Sequence, residues 1–135
     1  MVDVLTPKQR QINMSRIRAK NTRPEMVVRR LLHSRGLRYR LHVAQLPGSP
    51  DIVFSSRRKV LFVNGCFWHM HSCRFGQVTP ATNAEFWSKK RLATVARDER
   101  KRAELTLLGW KVMTVWECET RDLQTLEDQL WRFLG

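Results

Sequence analysis

Between the strand-like run Val60-Leu61-Phe62-Val63 and a long basic helical stretch lies a segment that no periodic element explains. From Gly65 to Ala81 neither the strand nor the helix repeat of apolar residues appears, yet Cys, His and aromatic side chains crowd together. Such a segment cannot hold its shape by burying one face, so the fold must fasten it in another way. Cys66, His69, His71 and Cys73 all lie here, and Cys118 is the only other cysteine. Zinc takes four tetrahedral ligands, and three thiolates with one imidazole form a common structural set. Thiolate and imidazole donors suit zinc better than magnesium or calcium. Cys66 follows the Val60–Val63 run, and Cys118 follows a second one, Val112-Met113-Thr114-Val115-Trp116. If these are neighbouring strands, their ends bring the two cysteines together. His69 and His71 compete for the fourth position, and the one left over is free for chemistry. The plainer alternative is three buried thiols and an ordinary histidine.

The rest of the chain reads as alternating helices and short strands. Thr6-Pro7 and Thr22-Arg23-Pro24-Glu25 are helix starts, each a capping hydroxyl followed by a proline in the first turn. Met26, Val27, Leu31 and Leu32 form an apolar stripe that Gly36 closes. Leu37, Tyr39, Leu41 and Val43 alternate with Arg38, Arg40 and His42, the pattern of a half-buried strand. Leu46 to Pro50 is a turn, Asp51 to Phe54 a short buried strand, and Ser55 to Arg58 a hairpin connection. A helix is predicted from about Asn83 to Leu108, with Thr82 and Glu85 as a capping box and Gly109 as terminator. Leu123, Leu126, Leu130 and Leu134 predict a final amphipathic helix. The order ααβββαβα implies one α/β domain over residues 1–135, a central mixed β-sheet flanked by helices. Neither repeats nor a linker divide it.

Charge narrows the partner. The formal net charge is +13, with 25 Lys/Arg against 12 Asp/Glu. Residues 1–40 hold eleven Lys/Arg against only Asp3 and Glu25, and residues 84–102 hold seven against Glu85, Asp98 and Glu99. A basic end and a basic helix point to a polyanion, nucleic acid before an anionic membrane. No apolar run reaches the roughly 20 residues that span a bilayer. A membrane-surface helix would need a broad apolar face, which here the core requires. Met1-Val2-Asp3-Val4 lacks the regions of a signal peptide, and an odd cysteine count argues against a secreted disulfide framework. The expected home is a reducing cytoplasm.

Pro50-Asp51 at the start of a strand, followed by a hairpin into a second apolar strand, resembles the opening of the Pro-Asp…Asp/Glu-x-Lys motif of restriction-endonuclease-like nucleases. There a strand-end carboxylate holds Mg²⁺ against the scissile phosphate. The departure is that this second strand ends Phe62-Val63-Asn64-Gly65, with neither the second acid nor the lysine. Alone, Asp51 reads better as a turn aspartate, Glu25 as the capping partner of Thr22, and Asp98 as an ion-pair partner of Arg102 one turn on. His33 and His42 read as ordinary surface or partly buried residues. Phe67, Trp68 and Trp87 flank the basic region and suit insertion at a base step, which kinks the duplex, whereas Phe86 reads as core. A mismatched step resists such unstacking less than a matched one.

Together these strings closely resemble the very short patch repair (Vsr) mismatch endonucleases. The carriers are Leu46-Pro47-Gly48-Ser49-Pro50-Asp51, then Asn64-Gly65-Cys66-Phe67-Trp68-His69-Met70-His71-Ser72-Cys73. Pro80 to Trp87, Arg97-Asp98, Leu108-Gly109-Trp110 and Val115-Trp116-Glu117-Cys118 extend the match. The resemblance implies a restriction-endonuclease-like fold with a structural zinc on Cys66, His71, Cys73 and Cys118. It implies Mg²⁺ on Asp51 and the main-chain carbonyl of Val63. His69 is then general base or acid, supported by Asp98 and Glu25, and Phe67, Trp68 and Trp87 intercalate beside the mismatch. The implied reaction is Mg²⁺-dependent hydrolysis of one phosphodiester 5′ to the thymine of a T:G mismatch, the product of 5-methylcytosine deamination. The implied setting is a bacterial cytoplasm at the nucleoid, beside a cytosine-5 methyltransferase gene, with mismatch-repair proteins as possible partners. Residues 1–22 become a basic helical arm that embraces DNA, and one-strand nicking asks only for a monomer. Asn64 and Thr94 stand where members of the family often carry histidine and asparagine. The competing readings are a restriction or junction nuclease on the same fold and a catalytically inert zinc module that binds nucleic acid.

Overall fold

The computed structural model describes residues 21–67, 69–73, 76–77 and 82–135. The helix expected at Thr6-Pro7, most of the basic arm, Trp68 and Pro80-Ala81 lie outside the described residues. The elements are α1 (Arg23–Ser34), β1 (Arg40–Leu41), β2 (Ile52–Phe54), β3 (Lys59–Asn64), α2 (Ala84–Leu107) and β4 (Lys111–Trp116). A 3₁₀ turn (Glu117–Arg121) and α3 (Leu123–Leu134) complete the elements among the described residues.

The strands form one mixed sheet in the order β1-β2-β3-β4. β2 pairs antiparallel with both β1 and β3, and the Ser55–Arg58 turn makes the β2–β3 hairpin, as expected. β3 and β4 run parallel, Val63 beside Val115 and Asn64 beside Trp116. A parallel pair needs a crossover, and the aperiodic segment plus α2 supplies it. The loops that leave β3 and β4 therefore emerge at the same edge, which is what the cysteine spacing requires.

Alternation assigns the two faces. Ile52, Phe54, Leu61 and Val115 pack against Val28 and Leu32 of α1 and Leu126, Leu130 and Leu134 of α3. Val53 and Val60 face the other way, onto Leu105 of α2, with Phe62, Trp110 and Val112 around them. α3 shows which force dominates. Its Asp122 cap accepts from the Thr125 N–H, a bond that contributes about 1 kcal/mol. Three buried leucines contribute about 1.5–3 kcal/mol each, so the buried face is what holds α3 on the sheet. Leu123, expected on that face, is exposed.

Two local expectations are corrected. The run Leu37–Val43 is a strand only at Arg40–Leu41, and both of those residues are exposed. His42 adopts a left-handed φ of 48°, which breaks the alternation: Leu37 and Tyr39 pack partly buried against one core cluster and Val43 is buried in the other. Thr82 and Glu85 form no capping box. Asn83 caps α2 in a left-handed conformation without a side-chain bond, and Glu85 pairs with Lys89 in solvent instead.

Candidate active site and metal centre

Asp51 stands where the chain enters β2, and its Oδ2 accepts the Val63 N–H at 2.7 Å. It lines a cleft of about 210 Å³ between the strand ends and α2, with Asn64, His69, Thr94, Asp98 and Lys101. Burial pushes its carboxyl up to about 6, and the nearby Glu25 charge adds to this. The Val63 N–H and the imidazoles of His42 and His69 act against the rise. A carboxyl lifted in this way is held charged only at some cost, and a cation beside it removes that cost. Gly48 borders the same cleft at φ 77°, and a Cβ there would meet Lys101 Cβ at 3.0 Å and Phe62 Cζ at 3.1 Å. The turn before Asp51 thus lies flush against α2 because residue 48 has no side chain.

His69 reaches the cleft from the aperiodic loop, and its Nδ1 bonds Asp98 Oδ2 on α2. Asp98 is therefore not the partner of Arg102, whose Nη2 donates to Thr114 Oγ1. A carboxylate only accepts, so Nδ1 carries the hydrogen and Nε2 is left as the basic nitrogen. Glu25 is buried. Its N–H donates to Thr22 Oγ1, but its side chain does not close the capping box. Instead His42 Nε2 lies 3.0 Å from each Glu25 carboxylate oxygen, and Arg29 Nη1 lies 3.3 Å from Oε2. Glu25, His42 and Asp51 place their ligand atoms within 4.8 Å of one another. Sequence reading missed His42, because a left-handed residue leaves no mark in a period-two pattern.

Asn64 and Thr94 are both buried beside the cleft, and the Thr94 hydroxyl is turned back to the Lys90 carbonyl at 3.0 Å. Arg97, Lys101 and Arg102 from α2 line the same cleft, with Lys101 Nζ 3.6 Å from Glu104 Oε2 and Arg102 Nη2 turned to Thr114 Oγ1. Counting charges along α2 does not reveal which of them face the cleft.

Cys66, His71, Cys73 and Cys118 converge at the edge where β3 and β4 end, with ligand atoms within 4.8 Å of one another. His71 Nδ1 lies 3.8 Å from Cys66 Sγ and 3.5 Å from Cys118 Sγ. Tetrahedral zinc with bonds of about 2.3 Å to sulfur and about 2.0 Å to nitrogen sets such donors about 3.5–3.8 Å apart. The residues present therefore fit zinc in both chemistry and spacing. Trp116 stacks on the His71 ring at 4.2 Å and fixes its plane, and the Cys118 N–H donates to Cys66 Sγ. Burial pushes the Cys66 thiol up to about 12 and raises the Cys118 thiol as well, so ionising them calls for a dication. His71, not His69, joins the cluster, which resolves the choice left open by spacing.

The aromatic assignments change. Trp87 is buried, whereas Phe86, expected in the core, is 40% exposed. Trp87, Arg91 and Thr94 recur at helical spacing on the buried face of α2. Phe67 is half-buried and packs edge-on to Trp87 at 6.1 Å. The Arg91 guanidinium lies 4.3 Å over the Phe67 ring, and its Nε donates to the Phe67 carbonyl at 2.7 Å. In this packing Trp87 lies on the buried face of α2 against the Phe67 ring.

The model of the DNA mismatch endonuclease Vsr family matches residues 2–75. The chain belongs to the Vsr family. Type II nicking enzyme V.XorIIP of Xanthomonas oryzae pv. oryzae is 55% identical over 134 residues, 99% of this chain and 98% of its own length. DNA mismatch endonuclease Vsr of Escherichia coli K12 is 43% identical over 129 residues, 96% of this chain and 82% of its own. Type II nicking enzyme V.NmeAIP of Neisseria meningitidis is 39% identical over 134 residues, 99% of this chain and 95% of its own. As a Vsr protein, this chain is a DNA endonuclease that acts on phosphodiester bonds. No helix among the described residues is long and apolar enough to cross a membrane.

Proposed function

We propose that this Vsr protein nicks one strand of duplex DNA 5′ to the thymine of a T:G mismatch, with Mg²⁺ held at Asp51. The observation that carries the reading is the single cleft in which Asp51, tied to the Val63 N–H, shares a wall with the His69–Asp98 pair. Asp51 and the Val63 carbonyl would hold the metal. Continued beyond Ile52↔Leu61, the β2–β3 register sets Val63 opposite Pro50, which has no N–H to give that carbonyl. When bound, Mg²⁺ stabilises charge on the phosphate and lowers the pKa of an attacking water. His69, oriented through Nδ1 by Asp98, keeps Nε2 ready to take a proton from that water. Glu25 backs Asp51 from the side of α1. Arg97, Lys101 and Arg102 along α2 suit the phosphates that set the register of the duplex.

The restriction-endonuclease-like fold, one domain over 1–135 with residues 1–22 as a DNA-embracing arm, and action as a monomer belong to the same reading. Zinc on Cys66, His71, Cys73 and Cys118 fastens the loop that carries Phe67, Trp68 and His69. Phe67, Trp68 and Trp87 enter the duplex beside the mismatch. Cytoplasmic action on lesions from 5-methylcytosine, near a cytosine-5 methyltransferase gene and alongside mismatch-repair proteins, completes it. Asp51→Ala tests it against an inert DNA-binding module. Cleavage should vanish while T:G duplex binding persists; an Asp51→Ala protein that nicks as fast as its parent contradicts the assignment.

A further inference from the structure

The left-handed residue in front of the active-site turn has a chemical consequence. Glu25 comes from α1, Asp51 from the start of β2, and their carboxylates approach closely enough to share one ligand cluster with His42. Two carboxylates so close repel, and without a restraint the Glu25 side chain would turn away from Asp51. Arg29 touches only Oε2, at 3.3 Å, and a contact to one oxygen leaves the carboxylate plane free to rotate. His42 Nε2 is equidistant, at 3.0 Å, from both oxygens. A carboxylate only accepts, so one Nε2–H is shared by the pair and fixes that plane. The main chain of the same residue ties it to the other acid. The His42 N–H donates to the Asp51 carbonyl at 3.0 Å, and the Val43 N–H to the Pro50 carbonyl at 3.3 Å. A φ of 48° at a non-glycine residue is disfavoured, and such backbone persists where the surroundings over-determine it.

We infer that His42 is a positioning residue for the metal site at Asp51: its ring orients the supporting Glu25 carboxylate and its main chain fixes Asp51, so both acids face one cation. The inference rests on the reading of Asp51 as the metal ligand. Partners of this kind, one bond removed from the ion, hold metal ligands in geometry and are needed for full affinity.

The test compares the parent with His42→Asn and His42→Gln. Asparagine tolerates left-handed backbone but is too short to reach Glu25, so it removes the ring contact and spares the turn. Glutamine carries an amide N–H that reaches the same carboxylate. Mn²⁺ binding to the DNA-free, zinc-loaded protein is read by titration calorimetry, and the Mg²⁺ requirement is read from nicking of a T:G duplex. His42→Asn should weaken Mn²⁺ binding and raise the Mg²⁺ needed for half-maximal nicking, each by about 10–100-fold. His42→Gln should stay close to the parent in both, with zinc content unchanged in all three. Equal Mn²⁺ affinity in His42→Asn and parent overturns the role, and so does a Gln variant as weak as Asn. If the parent fails to nick T:G DNA while the Mn²⁺ difference appears, the positioning role stands and the substrate reading falls.

Discussion

Asp51 should hold the native fold back in the absence of magnesium, so removing its charge should stabilise the protein while ending its activity. The unfolded chain loses this proton near 3.8, and the folded chain holds it up to about 6. The sign follows from where the charge is disfavoured. Below 3.8 both states are protonated and nothing is lost. Between the two values the penalty grows as pH rises, and above 6 the folded state carries it in full. Two pKa units correspond to an upper bound of about 3 kcal/mol. Solvent screening of a half-buried group lowers this to about 1–2 kcal/mol. Asp51→Asn keeps an acceptor for the Val63 N–H and carries no charge. At pH 7.5 without magnesium, its Tm should exceed the parent's by about 3–6 °C. At pH 5, where the folded carboxyl is largely protonated, the gain should shrink to roughly half. Added Mg²⁺ should raise the Tm of the parent and leave that of the variant unmoved. Thermal unfolding followed by circular dichroism reads all three. An Asn variant no more stable than the parent at pH 7.5, or an equal gain at both pH values, refutes the assignment of the penalty to Asp51.

Other expectations concern the metal centre, the proton-transfer pair and the wedge. Cys118→Ser should lose its zinc by elemental analysis and at least about 4 kcal/mol of stability; a variant with one zinc per chain contradicts the four-ligand site. His69→Ala should lower kcat by about 10²–10⁴-fold with duplex affinity retained. Asp98→Asn should fall between the two, and an Asp98→Asn enzyme at full rate removes the orienting role. Phe67→Ala should narrow the ratio of T:G to T:A nicking while leaving Mg²⁺ dependence alone, and an unchanged ratio in a strand-specific gel assay argues against insertion at the mismatch.

Much of the architecture was legible because buried faces impose periods. Val60–Val63 and Val112–Trp116 became adjacent parallel strands, and their shared direction is what delivers Cys66 and Cys118 to one point. The zinc-type cluster was accessible from donor chemistry, but the choice between His69 and His71 was not. It depends on which ring meets Asp98 across the crossover, a contact between residues far apart in sequence. His42 was invisible for a different reason. A single left-handed φ turned an apparently alternating strand into an active-site support, and no apolar pattern reports such a residue. Trp87 and Phe86 exchanged places because helix phase, not residue type, decides burial: Trp87 shares a face with Arg91 and Thr94. The Thr82–Glu85 box failed because Asn83 supplies a left-handed entry to α2.

The most direct measurement is a nicking assay with Mg²⁺ on two duplexes that differ only in one base pair, T:G in one and T:A in the other. Cutting of a single strand, 5′ to the mispaired thymine and in the T:G duplex alone, is the result expected of Asp51, His69 and the Phe67 loop acting together. Equal cutting of both duplexes would contradict mismatch recognition and leave a nuclease for matched DNA. Cutting of neither duplex by zinc-loaded protein would contradict the catalytic reading of Asp51 itself.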